Sequence, residues 1–361
     1  MPSAKLTLGP LFYNWPPEKK RDFYFRIADE APIDCVYVGE VVCSKREPFF
    51  NPYLDEVLER LEKAGKQVVV SSLALLTLPR EMEALREKAS GDRLVEANDV
   101  SALQLLKGKP FIVGPMINVM NEGTLAAMAA RGAVRVVFAS EMSGKAIGTL
   151  ANYSSSLRGA DATQTPPSYR RRPVSSAARL RGKRLLCAAD DAQLDPAFQR
   201  DDDCVYANQS PKPHPIESLQ TEVQVSGRQS LALSMRCYHA RAHGRDKDHC
   251  RKVCENDPDG LDVDTITGQP ILSVNGTQTL TRGYVVLLNE MHEMAEAGVT
   301  HFRLSPQNCD MVSVSRIYRN FLDALIDPES ALSSLKTLME SVTFINGFYH
   351  GKEGKSFVSI P

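Results

Sequence analysis

A chain of 361 residues with 43% hydrophobic and 24% charged residues has the composition of an ordinary globular protein, long enough for one large domain or two small ones. A formal net charge of -1 excludes the strong basic excess of a general nucleic-acid binder. No run of apolar residues is long enough for a membrane helix, and the opening MPSAKLTLGP lacks the apolar stretch of a signal peptide. The expected location is the cytoplasm, where eight cysteines are more readily free thiols, metal ligands or catalytic groups than disulfides.

From the N-terminus, short apolar runs alternate with amphipathic stretches. Strands are expected at Lys5–Leu8, Cys35–Val38, Gln67–Ser71, Arg93–Glu96, Phe111–Val113 and Val134–Phe138. Between them, Leu54, Val57, Leu58 and Leu61 keep helical spacing, as do Leu125, Met128 and Ala129. Ala64-Gly65, Arg131-Gly132 and Ala297-Gly298 end helices with a glycine suited to a left-handed cap, each followed closely by a strand. That β-α punctuation predicts parallel strands joined by crossover helices.

The rhythm breaks at residues 152–213, which are rich in Ser, Arg, Asp, Pro and Ala and show no sustained period. They are expected to form a low-complexity, disordered insertion, with 1–151 and 214–361 making one domain. Only Gly144–Ala151 would then remain of the helix after the sixth strand. The basic run Tyr169–Arg172 inside the insertion is read as a solvated face. A seventh strand follows at Thr221–Val225. A helix is expected over 281–297 on Val285, Leu288, Met291 and Ala295, and an eighth strand at His301–Leu304. Eight such steps predict an α/β fold, a (β/α)8 TIM-barrel-like domain. An open doubly wound sheet is the alternative, weakened because no GxGxxG follows the first strand.

A barrel of this kind collects its chemistry at the C-terminal ends of its strands. There the sequence places Glu40 and Cys43-Ser44-Lys45-Arg46 after the second strand and Ser71-Ser72 after the third. Glu96 to Asp99 follow the fourth, Asn118 the fifth, Ser140-Glu141 the sixth, and Arg303 lies in the eighth. Glu96, Asn98, Asp99, Asn121 and Ser143 also suit helix caps; Glu40 and Arg303 do not.

Of the cysteines, Cys35 reads as a small buried hydrophobe within a strand, Cys187 and Cys204 fall in the insertion, and Cys309 stands alone. Cys237, Cys250 and Cys254 are spaced C-x12-C-x3-C, and Cys43 sits at a strand end where it can meet them. Four thiolates suit zinc or an iron–sulfur cluster, and unligated thiols are a third possibility. Arg236, Arg241, Arg245, Lys247, Arg251 and Lys252 are expected to lower the thiol pKa values. His239, His243 and His249 in the same loop are expected to be solvated.

Glu222-Val-Gln-Val-Ser-Gly227 followed by Ser234-Met-Arg-Cys237 resembles the signature of the collagenase-like peptidase superfamily: an acidic residue in a strand, a glycine, then Ser-x-x-Cys. The further cysteine usual after that glycine is absent, which points to the UbiV-like branch serving ubiquinone biosynthesis. LGPLFYNWP (8–16), VYVGEVVCSKR (36–46), SSLALL (71–76), SVNGTQTLTRGY (273–284), RLSPQ (303–307) and NGFYHGKEG (346–354) resemble the same branch. The resemblance implies a barrel-like fold with a [4Fe-4S] cluster on Cys43, Cys237, Cys250 and Cys254. It also implies a UbiU-like protein as heterodimer partner, and oxygen-independent hydroxylation of a ubiquinone precursor ring with prephenate as oxygen donor. On that expectation Lys45, Arg46 and Arg303 bind the dianionic donor and Glu40 and Glu141 act as acid or base. The competing expectations are a peptidase or other hydrolase, and a non-catalytic protein that stabilises the UbiU-like partner. The chain has no HExxH or GxSxG motif, and Cys237 and His239, two apart on an expected strand, would face opposite ways.

Overall fold

The computed structural model describes residues 4–157 and 219–359. In chain order the elements are β1 (Lys5–Leu8), α1 (Pro17–Glu30), β2 (Cys35–Val38), α2 (Glu47–Lys63), β3 (Gln67–Ser71), α3 (Pro79–Ser90), β4 (Leu94–Ala97), α4 (Ser101–Leu105), β5 (Phe111–Val113), α5 (Glu122–Ala130), β6 (Ala133–Val137) and α6 (Gly144–Ser156). After the undescribed segment come β7 (Gln220–Gly227), β8 (Ser230–Leu233), α7 (Tyr238–Ala242), β9 (Leu261–Asp264), β10 (Pro270–Asn275), β11 (Gln278–Thr281), β12 (Tyr284–Val286), α8 (Met291–Glu296), β13 (His301–Leu304), α9 (Met311–Leu322), α10 (Pro328–Leu338) and β14 (Phe344–Ile345).

Strands β1 to β7 and β13 are parallel neighbours, and β13 pairs with both β1 and β7, so the sheet closes into the expected (β/α)8 barrel. The register places Thr7 beside Arg303, and His301 beside Glu222. Side chains alternate across each strand. Leu6, Leu8, Val36 and Val38 point outward into the core shared with the helices, where Tyr24, Ile27, Tyr318 and Phe321 are buried. Cys35, Tyr37, Val69, Ile112 and Val137 form a separate buried cluster. Gly65, Gly132 and Gly298 all take positive φ at helix ends, as their positions in the sequence suggest.

Several expectations need correction. The stretch 281–297 is not one helix: β12 pairs antiparallel with β7, and α8 begins only at Met291. Tyr284, Val285 and Val286 are buried because they extend the sheet, a pattern that a short apolar run shares with a buried helix. The helix after β6 is longer than expected. It runs to Ser156, with Leu150, Ala151 and Ser154 buried, so the core keeps its cover there. The rest of the expected insertion, including the basic run and Cys187 and Cys204, lies outside the described residues. Asn121 and Ser143 do cap helices, accepting the N–H of Thr124 and Ala146, and Asp99 accepts the N–H of Ser101. Glu96 and Asn98 are buried instead, and Asn98 donates to Glu96.

A second sheet, absent from the sequence reading, is antiparallel in the order β8-β11-β10-β9. The loop between β8 and β9 carries Cys237, Cys250 and Cys254. The sheet is pinned to the barrel through the β10–β11 turn. Thr277 Oγ1 donates to Val42 O (3.0 Å) and Asn275 Nδ2 to Phe12 O (2.7 Å). Gly276 takes φ 63° there, and a Cβ on it would lie 2.9 Å from the Arg46 guanidinium. Both facts require glycine. Gly227, the last residue of β7, is similarly constrained by φ 94° and by Ser305 O at 2.8 Å from where a Cβ would sit.

Candidate functional site

Two polar constellations occupy the barrel. The first is a charge ladder inside it. Glu222, the acidic residue of the signature, is wholly buried and accepts from Thr7 Oγ1 (2.8 Å), Tyr37 OH (2.5 Å) and Arg303 Nε (2.6 Å). Arg135 NH1 lies 3.4 Å from the same carboxylate, and Arg303 NH2 reaches Glu96 at 2.8 Å. Burial opposes ionisation of Glu222, but Arg303 and Arg135 outweigh it and hold its pKa at about 2. Burial holds the neighbouring His301 imidazole down at about 4, with Arg135 adding to the effect. The cavity above the ladder is lined by Arg303, Gln224, Ser140, Ser305, Phe12 and Met116. It encloses ≈ 10 Å³, room for about one water.

Arg303, expected to meet substrate, is thus committed between two buried carboxylates, with its guanidinium 4.1 Å from the centre of the Tyr37 ring. Glu141 lies exposed in the turn after β6, away from the ladder's buried partners.

The second constellation lies where the loop after β2 meets the β8–β9 loop. Cys43, Cys237, Cys250 and Cys254 are all half-buried free thiols. Arg46 joins them. Its charge interacts with Cys43 and Cys254, while Cys237 feels the charges of Cys254, Arg46 and Cys250. The Cys43 loop and the loop that carries the other three cysteines therefore meet at Arg46. Arg46 also donates to Phe12 O (2.6 Å) and Asn275 Oδ1 (3.0 Å) and lies 3.8 Å from Glu40. Lys45 Nζ donates to Lys247 O (2.5 Å) and Asp248 Oδ1 (3.1 Å), tying the first loop to the second. Glu40 Oε1 accepts the backbone N–H of Val42 (2.9 Å) and Cys43 (3.0 Å), fixing the turn that presents the Cys43 thiol. Three residues expected to do acid–base or substrate work here hold the cysteine loops in place.

The expected lowering of thiol pKa values is overturned at two positions. Burial pushes the Cys43 thiol up, and Arg46 only opposes it. Burial raises Cys237 as well, against the N–H of Ala240 and with Cys254 adding to the rise. Desolvation outweighs the cations because half of them lie on the outer side of the loop: Arg236, Arg241 and Arg251 are exposed. Arg236, Arg241, Arg245 and Lys247 line an open groove of ≈ 640 Å³ beside Cys237, together with Asp246 and Asp248.

His239 corrects another expectation: it is fully buried, not solvated. His249 is exposed, as expected. Cys237 and His239 do not pair. The reason is not a strand, since Cys237 caps α7 with its Sγ 3.4 Å from Ala240 N while His239 Nε2 lies 2.7 Å from Asp257 Oδ2.

The donor set fits an iron–sulfur cluster. Four sulfurs around one zinc at Zn–S ≈ 2.3 Å would lie about 3.8 Å apart. Among the described residues, no three cysteine sulfurs lie within 4.8 Å of one another. Four half-buried thiols beside a guanidinium are a donor set that such a cluster accepts.

Among the described residues no helix is long and apolar enough to cross a membrane. No solved structure matches the chain. A family model described as Peptidase family U32 matches residues 24–158 and 214–358, on both sides of the segment outside the description. With more than half its length matched, across barrel and cysteine cap alike, the chain belongs to peptidase family U32.

Proposed function

We propose that this protein is a UbiV-like iron–sulfur subunit which, with a UbiU-like partner, carries out oxygen-independent hydroxylation of a ubiquinone precursor ring with prephenate as oxygen donor. The observation that carries the reading is that the Cys43 loop meets the loop of Cys237, Cys250 and Cys254 at Arg46, whose charge reaches Cys43, Cys237 and Cys254, although the loops lie some 200 residues apart. The resemblance of the flanking stretches to the UbiV-like branch supports the choice of reaction.

Cys43, Cys237, Cys250 and Cys254 would hold the [4Fe-4S] cluster, which when bound supplies redox or Lewis-acid chemistry at the barrel mouth. Glu40 orients Cys43 through the backbone N–H groups it accepts. Arg46 offsets the charge of the thiolates. Because burial favours the protonated forms of Cys43 and Cys237, loading the site must release protons, and assembly is favoured by raised pH. Arg303 and Arg46 are committed to internal partners, so under this reading the exposed Arg236 and Arg241 in the groove beside Cys237 are better placed to meet a dicarboxylate.

The test is purification without oxygen, with an absorbance scan and metal assay. About four irons per chain are expected, and Cys43→Ala should lose them while keeping its far-ultraviolet circular dichroism. A colourless protein carrying zinc and no iron would overturn the reading. Family membership favours a second one, peptide hydrolysis. Its mark would be peptide cleavage abolished by Cys237→Ala. In a non-catalytic stabilising subunit, the same substitution would weaken partner binding with no separate catalytic defect.

A further inference from the structure

We infer that His239, His243 and Asp257 form a second metal site, separate from the cysteines, for a divalent first-row cation, zinc or ferrous iron. The inference stands apart from the proposed function. Among the described residues, this is the only group of three His, Cys, Asp or Glu side chains whose ligand atoms all lie within 4.8 Å of one another.

The site is built from α7 and the segment after the fourth cysteine. His239 and His243 are four apart and so share one side of the helical turn. Their rings stack 5.6 Å apart at 13°. Both present Nε2 to one oxygen, Asp257 Oδ2, at 2.7 Å and 3.6 Å. Metal bonds of about 2.0–2.1 Å at tetrahedral angles need donors about 3.3 Å apart, and the two observed separations bracket that value. Two imidazoles and a carboxylate are a set that zinc and ferrous iron both accept.

His239 is fully buried, and its Nδ1 has no hydrogen-bond partner among the described residues. Asp257 is 24% exposed and His243 34%, so a cation can enter and keep water as a further ligand. Arg46, whose charge reaches His239, is itself paired with Glu40.

A cation here would close the loop from His239 to Asp257, which contains Cys250 and Cys254. That loop holds two consecutive non-glycine residues in the left-handed region, Arg251 at φ 48° and Lys252 at φ 54°. Such backbone persists only where its surroundings enforce it. A staple between α7 and Asp257 would supply that constraint.

The test is equilibrium dialysis of the chelator-treated, cluster-loaded protein against Zn²⁺ or, without oxygen, Fe²⁺. One metal per chain beyond the cluster iron is expected. His243→Ala and Asp257→Asn should each weaken binding by at least about tenfold with cluster iron unchanged. Competition between the two metals identifies the natural occupant. Should the protein hold no cluster, Co²⁺ loading decides. An absorption spectrum without thiolate charge-transfer bands supports the site, whereas such bands place the metal on cysteines and overturn it. Failure of the unaltered protein to bind extra metal, or undiminished binding by both variants, overturns it equally.

Discussion

In the barrel lumen, Glu222 and Glu96 are wholly buried, and Arg303 reaches them at 2.6 Å and 2.8 Å. In the cap over the mouth, three of the four half-buried thiols lie within the reach of one arginine's charge, and the basic groove beside them lies open. The lumen is committed to its own partners, so its charges serve the fold. The cap keeps unspent donor capacity, so a ligand can be added there without dismantling the barrel. Strand-end position in a barrel therefore does not by itself make a charged residue functional; what matters is whether folding has already supplied its counter-charge.

The sharpest way to break this comparison is Arg303→Leu. It strands two buried carboxylates, and a loss of about 3–5 kcal/mol in urea-unfolding stability is expected. A loss below about 1 kcal/mol would mean that the ladder is not a structural unit. Acid titration probes the same region more gently. With His301 held at about 4 against 6.5 for the free imidazole, the unfolded chain takes up the proton first as pH falls. The neutral ring's contribution, about 3 kcal/mol, is complete above pH 6.5 and is lost progressively towards pH 4. His301→Asn should flatten the unfolding midpoint over that window, and an unchanged slope would place the titration elsewhere. In the cap, Glu40→Gln weakens two charge-assisted bonds to the Cys43 turn. A stability loss of about 1–2 kcal/mol is expected, with faster reaction of Cys43 with a thiol reagent in metal-free protein. Unaltered reactivity would show that Glu40 does not position that thiol.

The elements legible in the sequence were those set by short-range rules. Seven of the eight barrel strands follow β-α punctuation up to β7, and the helix caps of Asn121 and Ser143 are contacts across three residues. The cap sheet was missed because its strands are short and half-polar, such as Leu261–Asp264 with its alternating exposure. One signal was available: Asn275-Gly276 between apolar alternations marks a hairpin. The stretch 281–297 was misread because burial on both sides of β12 erases periodicity. Arg46 was legible as a strand-end cation, but its commitment to Phe12 and Asn275 depends on contacts 34 and 229 residues away.

The sequence alone determined the alternation of strands and helices and the four cysteines worth grouping, because periodicity, glycine stops and ligand type are local properties, whereas closure of the barrel rests on the β13–β7 pairing. The tertiary structure alone decided which charges are spent and which thiols resist ionisation. Glu222 draws its partners from Thr7, Tyr37, Arg135 and Arg303, residues that only barrel closure brings together. Burial, which sets the state of Cys43, Cys237 and His301, arises only when distant segments have excluded water from one another.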